Sequence, residues 1–245
     1  MNDVIELLQR HRSIRKYKPD VVSEEVLEAI VRSAQMASTS SNVQAYSVIA
    51  VANPETKRAL SAIAGNQQHV EECPVLLVWC ADLSRDRLAC EREGAQMISG
   101  TMENFIVATV DTALAAQNAA VAAESLGLGI VYIGGLRNNL REVTKLLRVP
   151  ELVYPLFGMC LGYPDHESSL RPRLPLRAVL HREAYQAETQ EEAIAEYDAT
   201  VHDYYIERTK GKRETTWSKE MADKFSRPSR AYMRAYLEEQ GFRFD

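Results

Sequence analysis

The sequence has few of the features that define several common classes of protein. Only 4 of its 245 residues are cysteines, and they form neither a Cys-x-x-Cys pair nor part of a histidine cluster. This pattern argues against structural zinc, and we expect reduced, mostly buried thiols in a cytoplasmic protein. The first residues also lack the uninterrupted apolar stretch of a signal peptide.

Long apolar runs are scarce as well. The most apolar segment, residues 106–123, is interrupted by Thr109, Asp111, Thr112, Gln117 and Asn118. We expect this segment to be too polar and too short to cross a membrane, because a spanning helix needs about 20 predominantly apolar residues.

An excess of positive charge is also missing. The chain carries 29 lysines and arginines against 34 aspartates and glutamates, which gives a formal net charge of -5. This balance does not favour nucleic acid as a partner. Basic residues are nevertheless concentrated at residues 10–18, 171–177 and 208–213. Separated basic clusters in an acidic protein indicate local anion sites.

The familiar signatures of nucleotide and hydrolase sites are absent. The sequence contains no G-x-G-x-x-G after a strand, no Walker loop, no H-E-x-x-H and no G-x-S-x-G. A Rossmann-type dinucleotide site and the common hydrolase sites therefore lose support. What remains is an ordinary globular composition, with 46% apolar and 26% charged residues.

Apolar patterning and helix caps predict alternating helices and strands up to residue 164. Ser23 followed by two glutamates marks a helix start, Asn53-Pro54 opens another helix, and Gly127 stands where a left-handed helix end is expected. The near-continuous apolar run at residues 75–82 suits a strand buried on both faces. We predict helices at residues 3–11, 24–37, 54–64, 105–126 and 140–147, and strands at 47–52, 75–82, 130–135 and 156–162.

After Pro164 the composition changes. Residues 165–181 read as a loop, and residues 190–207 and 218–240 as charged helices rich in tyrosine. We interpret residues 1–164 as a core and residues 165–245 as a helical extension that wraps it. The chain is therefore predicted to be α/β or α+β, with about four core strands and long helices.

Three polar segments in the core could form cradles for an anion or another ligand. His11, Arg12, Ser13 and Arg15 offer charged and hydroxyl donors that suit a phosphate, although a solvated basic turn has the same composition. Residues 38–44 supply hydroxyls and amides, but such residues also simply form loops. Residues 65–68 lie at a helix end, where a helix cap is the alternative.

Three further segments could contact a ligand. Tyr132-Ile133-Gly134-Gly135 ends a predicted strand, and its glycines either allow close approach of a ligand or form a tight turn. Arg171 and Arg173 flank a stiff proline and could face one anion, or lie in an exposed loop. Residues 208–213 form a basic loop that could hold the 2′-phosphate of NADPH, or be a solvated charge run.

Together these segments resemble one family. The matching stretches are HRSIRKY, ASTSSNVQAYS, AGNQQHV, DTALAAQNAAVAAESLGLGIVYIGGLRNN, YPLFGMCLGYP, RPRLP and YYIERTKGKRETTW, which are spread over nearly the whole chain. The sequence resembles the oxygen-insensitive NADPH nitroreductases and NADPH–flavin reductases, in the larger-subunit branch of the FMN-dependent nitroreductases. The combination is specific, although no single stretch is.

The resemblance implies an α+β fold with a mostly antiparallel central sheet flanked by helices. It also implies an interlocked homodimer with FMN at the interface, and neither a nucleic acid nor a membrane as partner. The FMN-binding residues implied are His11, Arg12, Ser13, Arg15, Thr39, Ser41, Gln67, Ile133, Gly134, Gly135, Arg171 and Arg173. Thr39 stands where serine is common and keeps the hydroxyl, and Arg171 stands where lysine is common and keeps the charge.

The resemblance also implies a two-substrate reaction. Arg208 is implied to bind NADPH, and Lys210 and Arg213 are weaker candidates because their loop varies. Hydride transfer would take place at N5 of FMN, so we expect no catalytic side chain and no metal. We expect ping-pong, two-electron reduction of nitroaromatics, quinones or free flavins. A dedicated FMN reductase that supplies reduced flavin to a partner stays open, and so does a non-catalytic flavin-binding module.

Overall fold

The computed structural model describes residues 2–244. Strands and helices alternate up to β4, and helices alone follow it. The strands are β1 (Tyr46–Val51), β2 (Val75–Asp82), β3 (Gly129–Ile133) and β4 (Val153–Gly162). The helices are α1 (Asp3–Gln9), α2 (Glu24–Gln35), α3 (Pro54–Ile63), α4 (Gln68–Glu72), α5 (Ser84–Arg92), α6 (Met102–Ser125), α7 (Leu140–Leu147), α8 (Gln190–Thr209), α9 (Trp217–Phe225) and α10 (Met233–Glu239).

The four strands form one sheet in the order β1-β2-β4-β3, and every neighbouring pair is antiparallel. All eight residues of β2 are buried, which confirms the strand predicted to be covered on both faces. Leu77 and Trp79 of β2 pack in a cluster with α2 and α6, whereas Leu76 and Val78 pack in a second cluster with α3 and α7. The predicted α+β class with four core strands is therefore confirmed.

Several predicted helix ends are confirmed by their hydrogen bonds. The Ser23 hydroxyl accepts from the Val26 N–H at the start of α2, and the Asn53 side chain accepts from the Thr56 N–H at the start of α3. Gly127 follows α6 with φ of +80°, the left-handed conformation that glycine adopts without strain.

Helix α6 corrects one expectation about its length. It has 24 residues and is, by length and composition alone, long and apolar enough to cross a membrane. Its buried residues are mostly alanines, which let the sheet and α2 approach closely, and all of these alanines except Ala108 belong to the main core cluster. Packing, and not shortness or polarity, therefore identifies α6 as a core helix.

The predicted start of the last strand was three residues late. Strand β4 begins at Val153 and contains Pro155, which lies opposite Cys80, while Phe157 lies opposite Trp79. Leu156 is thus an extra residue in a bulge, the irregularity that lets a proline lie inside a strand. Helices α4 and α5 were not predicted, because they are short and have little apolar periodicity.

The contacts divide the chain into two units. Unit 1 contains the residues up to Ser168 together with those from Arg230 onward, and unit 2 is Ser169–Ser229. The sequence placed all of residues 165–245 in one extension, whereas Tyr236 and Leu237 of α10 pack in unit 1 with Tyr154. The single helix predicted at residues 218–240 is wrong: α9 and α10 are separate because Pro228 interrupts the pattern between them.

Candidate active site

The basic segment at residues 11–15 runs beside the edge of the sheet. The Ile14 N–H donates to the Ile130 carbonyl at 2.9 Å, and Ser13 forms an isolated parallel bridge with Ile130. A Cβ at position 129 would lie 2.5 Å from Ile14 Cγ1, so Gly129 permits this approach. The backbone of the segment is therefore fixed by β3.

His11 is oriented by a carboxylate of α6. Its Nδ1 lies 2.6 Å from Glu124 Oε1, and the Glu124 side chain is only 13% exposed. The contact joins the chain after α1 to α6. It leaves Nε2 as the ring nitrogen that can meet a ligand.

Arg12 has a buried donor without a partner. Its Nε is shielded from solvent and makes no hydrogen bond with the described residues. The nearest carboxylate, Glu167, lies 3.7 Å from NH1 and is itself 92% exposed. Because a buried unpaired donor is costly, this side chain fits an anion that would complete its hydrogen bonds.

Arg15 lines a cavity of about 600 Å³ in unit 1. His69 lines the same cavity, and its pKa is lowered first by burial and then by the positive charge of Arg15. Burial likewise raises the pKa of Tyr17, whose hydroxyl donates to the Ile14 carbonyl at 2.7 Å. The cavity therefore combines three cations and two carboxylates with neutral polar groups. Its lining residues are Arg15, Lys16, Tyr17, Lys18, Pro19, Gln68, His69, Glu72 and Asp165.

The segment that contains Thr39 and Ser41 is held by a carboxylate that the sequence did not single out as functional. Asp111 of α6 is buried, and its two oxygens accept from the N–H groups of Ser40 at 3.0 Å and Ala45 at 3.2 Å. Ser41 has φ of +47° between these anchors, a conformation that is strained for a residue with a side chain. Its neighbours Asn42 and Gln44 also have positive φ. Strained backbone that is held in place by the surrounding structure is common at ligand sites.

Replacing Asp111 with alanine is expected to lower the free energy of unfolding by about 2 kcal/mol, because two amides lose a charged acceptor. Hydrogen exchange of the amides between residues 40 and 45 should accelerate in the variant. Glu103→Ala, in the exposed first turn of the same helix, is the control. Equal stability and equal exchange in the two variants would show that Asp111 does not hold this loop.

Gln67 and Gly135 come together at the carboxyl end of α3. Gln67 Nε2 donates to the Ala64 carbonyl at 2.9 Å, and Gly65 takes the left-handed conformation, so the segment is also the helix cap that the sequence allowed. A Cβ at position 135 would lie 2.6 Å from the Ala64 oxygen and 2.8 Å from Gln67 Nε2. Only glycine allows the strand-to-turn connection to pass this close.

Gly135→Ala is expected to lower the free energy of unfolding by about 2 kcal/mol, because its methyl group meets a backbone oxygen that cannot move easily. Gly134→Ala is the matched comparison. The nearest atom to a Cβ there is Arg137 NH2 at 3.1 Å, at the end of a flexible side chain. Thermal unfolding of both variants measures the difference, and a smaller loss for Gly135→Ala would contradict this account of the turn.

The turn after β3 is held by hydrogen bonds to Tyr232, which lies at the start of α10. Ile133 is the buried last residue of β3, and Gly134 opens a 3₁₀ turn that ends at Asn138. The Tyr232 hydroxyl donates to the Arg137 carbonyl and accepts from the Leu140 N–H, each at 2.8 Å. No sequence pattern indicates this role of Tyr232, since a tyrosine in a charged segment is interpreted as a packing residue.

The basic residues of unit 2 gather around two tyrosines. Arg171 NH2 donates to the Tyr205 hydroxyl at 2.8 Å, and the Arg213 guanidinium lies over the Tyr205 ring at 4.2 Å. Glu220 lies 2.5 Å from Arg213 and 3.8 Å from Arg171. Arg173 instead donates to the carbonyl of Arg171 at 2.7 Å. Two arginines expected to serve different ligands therefore share one carboxylate.

The Arg208 guanidinium forms no ion pair with a carboxylate in the described part of the chain. Its NH1 donates to the Tyr204 hydroxyl at 2.8 Å, and no ion pair to it is found among residues 2–244. Lys210 ends α8 in the left-handed conformation and is exposed. Of the three residues implied to bind NADPH, Arg208 is the one whose guanidinium is held in place yet still open to an anion.

Fold and site together define an α+β protein with basic segments beside an antiparallel sheet. The comparisons with known proteins agree. Residues 8–163 match the Nitroreductase family, and residues 171–245 match the Nitroreductase family, C-terminal domain. The chain belongs to the nitroreductase family and is an enzyme of that family.

Curated relatives and solved structures match over nearly the full length. The chain is 47% identical over 247 residues to the FMN reductase (NADPH) of Bacillus subtilis, covering 99% of each chain. It is 41% identical to the oxygen-insensitive NADPH nitroreductase of Salmonella typhimurium, again covering 99% of each. The solved structure of NfrA1 from B. megaterium has a TM-score of 0.96 at 48% identity, covering 98% of this chain and 99% of that one.

Proposed function

We propose that the enzyme binds FMN and uses NADPH to reduce small acceptors such as nitroaromatics, quinones or free flavins. FMN, when bound, accepts a hydride from NADPH and delivers two electrons to the acceptor. The observation that carries the proposal is the buried Nε of Arg12, which has no protein partner and lies in a basic segment fixed against β3. Such a donor fits the phosphate of a tightly bound cofactor.

In this proposal different groups of residues bind different parts of FMN. His11, Arg12, Ser13 and Arg15 bind the phosphate or the ring region, and Arg171 and Arg173 contribute further positive charge to the phosphate. The hydroxyls of Thr39 and Ser41 line the flavin. Gln67 and the backbone of Ile133, Gly134 and Gly135 lie near its ring, where the absence of side chains on the glycines permits close contact.

Arg208 selects the hydride donor in this proposal. Its guanidinium, held by Tyr204, meets the 2′-phosphate that distinguishes NADPH from NADH. Lys210 and Arg213 add positive charge nearby in the sequence, but Arg213 is already paired with Glu220. We therefore assign the preference for NADPH mainly to Arg208.

No side chain is assigned as an acid, base or nucleophile, and the chain's task is to bind and to orient. NADP⁺ leaves before the acceptor enters the same place, so the two substrates never occupy the enzyme together. Steady-state rates measured at several acceptor concentrations should therefore give parallel double-reciprocal lines. Intersecting lines would contradict the shared site.

A dedicated FMN reductase is the second function that we consider. The relative from Bacillus subtilis bears the name FMN reductase (NADPH), which supports this alternative. The fold and the hydride donor are the same in both proposals, and only the acceptor differs. Rates with free FMN, a quinone and a nitroaromatic, measured side by side, distinguish them.

We also propose that the enzyme is a cytoplasmic homodimer. Four apolar side chains follow each other at every fourth position on the exposed face of α6, namely Met102, Ile106, Val110 and Leu114. Residues spaced in this way form one stripe along a helix, and exposed stripes of this kind mark interfaces. Sedimentation equilibrium should give twice the mass of 27.6 kDa that one chain has.

A further inference from the structure

Glu220 is a carboxylate that two arginines of unit 2 share. Its Oε1 lies 2.5 Å from Arg213 NH2, and its Oε2 lies 3.8 Å from Arg171 NH2. The Glu220 side chain is 20% exposed, whereas that of Arg213 is 53% exposed. Because partial burial reduces screening by water, the pair with Arg213 is stronger than an ordinary surface ion pair. Glu220 is therefore the anion that Arg213 binds within unit 2.

The carboxylate is held in place by the start of α9. Glu220 lies in the first turn of this helix, which Thr216 caps by accepting from the Lys219 N–H at 3.2 Å. The Glu220 N–H donates to the Thr216 carbonyl, also at 3.2 Å. A negative charge in the first turn is stabilised by the helix dipole. An incoming anion therefore has to compete with a carboxylate that the fold keeps beside Arg213.

Arg213 is positioned by contacts that do not involve Glu220. Its backbone N–H donates to Thr209 Oγ1 at 2.9 Å, which connects it to the end of α8. Its guanidinium lies over the Tyr205 ring, 4.2 Å from the centroid, in a cation–π contact. Both contacts remain when the charge of Glu220 is removed. The guanidinium then keeps its place and loses only its counter-charge.

Arg213 and Arg208 lie over two adjacent tyrosines. Arg208 lies over the Tyr204 ring, 5.7 Å from its centroid, and its NH1 donates to the Tyr204 hydroxyl at 2.8 Å. The Tyr204 and Tyr205 rings meet edge to face with centroids 5.3 Å apart. An anion bound by Arg208 is therefore also attracted by the charge of Arg213 and repelled by that of Glu220.

We infer that Glu220 limits the affinity of the enzyme for NADPH and NADP⁺, because it competes with the 2′-phosphate for Arg213. The inference rests on the proposed function, in which Arg208 binds that phosphate, and it adds a residue that sets the strength of binding. Weak binding of NADP⁺ suits the reaction, since NADP⁺ has to leave before the acceptor enters the same place. Glu220 pairs with Arg213 again as the phosphate departs, which favours this release.

The test compares Glu220→Gln with the control Glu214→Gln. Glutamine at position 220 keeps the shape and an oxygen that accepts from Arg213, and it removes the charge. KM for NADPH and the inhibition constant for NADP⁺ should each fall about tenfold, while KM for NADH stays unchanged. Glu214→Gln removes a carboxylate next to Arg213 that is 73% exposed and lies 3.5 Å from His202. Its effects should be less than about twofold, since water and salt screen an exposed charge.

A double variant shows whether the effect of Glu220 passes through Arg213. Arg213→Gln alone leaves the Glu220 charge without its nearest cation, so KM for NADPH should rise. Combined with Glu220→Gln, it removes both charges of the pair, and KM for NADPH should return to within about threefold of the value for the unmodified enzyme. A tenfold fall that persists in the double variant would overturn the inference.

Calorimetry on the FMN-loaded protein provides a readout that does not depend on turnover. Its probes are adenosine 2′,5′-bisphosphate and adenosine 5′-monophosphate, which lacks the 2′-phosphate. In Glu220→Gln the dissociation constant should fall about tenfold for the bisphosphate and stay the same for the monophosphate. Equal effects on both probes, or no effect on the bisphosphate, would overturn the inference.

The outcomes separate this inference from the proposed function. If NADPH reduces bound FMN but Glu220→Gln tightens FMN and not the bisphosphate, Glu220 acts on Arg171, and only the inference fails. If NADPH does not reduce bound FMN, the proposed function fails. Tighter binding of the bisphosphate to Glu220→Gln, lost again in the double variant, would then still support competition between a carboxylate and a phosphate at Arg213.

Discussion

Arg12→Gln is expected to raise the dissociation constant for FMN about a hundredfold, because charged hydrogen bonds to the phosphate are lost. Arg12 is the residue whose Nε is buried without a partner, and its nearest carboxylate is an exposed side chain 3.7 Å away. Glutamine keeps part of the apolar stem and removes the charge. Fluorescence quenching of free FMN by the apoprotein gives the dissociation constant directly.

The control for this variant is Arg32→Gln, an exposed arginine on α2 that pairs with Glu28 within its own helix. It should leave the FMN dissociation constant unchanged. Removing a buried and unpartnered donor also relieves a cost in the apoprotein, so Arg12→Gln should not lower the melting temperature of the apoprotein. An unchanged FMN dissociation constant for Arg12→Gln would remove Arg12 from the cofactor site.

Arg208→Ala is expected to raise KM for NADPH about a hundredfold while leaving KM for NADH unchanged, since only NADPH carries the 2′-phosphate. The Tyr204 hydroxyl holds the Arg208 guanidinium at 2.8 Å, and no carboxylate competes for it in the described chain. FMN occupancy should stay the same, because this arginine is assigned to the hydride donor.

Lys212→Ala is the matched control, because it removes an exposed positive charge just after α8, whose last turn contains Arg208, at a position without an assigned role. It should change KM for both donors only slightly, as expected for a screened surface charge. Loss of FMN from the Arg208 variant would mean that the residue belongs to the cofactor site. Equal rises in KM for NADPH and NADH would show that it does not recognise the 2′-phosphate.

The elements that position the site follow mostly from local sequence signals. Ser23 and Asn53 cap their helices as the residue types predict, and the apolar run of β2 is buried on both faces. These predictions succeed because caps and buried runs depend on neighbours within a few residues. Pro155 misled the prediction of β4, since only pairing with β2 shows the bulge that accommodates it.

The contacts that hold the site could not be predicted from local sequence signals. Asp111 reads as a polar interruption of an apolar helix, and its hydrogen bonds go to residues about 70 positions away, at Ser40 and Ala45. A carboxylate in the middle of an alanine-rich helix is a signal that could have been used. Tyr232 offers no such signal, because its two hydrogen bonds depend on where α10 packs.

The most direct test of the account is an anaerobic titration of the FMN-reconstituted protein with NADPH. The account predicts a yellow protein with one FMN per chain, whose absorbance in the visible region is lost on addition of one equivalent of NADPH and returns with a nitroaromatic or quinone acceptor. The same loss should be much slower with NADH. A protein that cannot be reconstituted with FMN, or one whose bound FMN is not bleached by NADPH, would contradict the central claim.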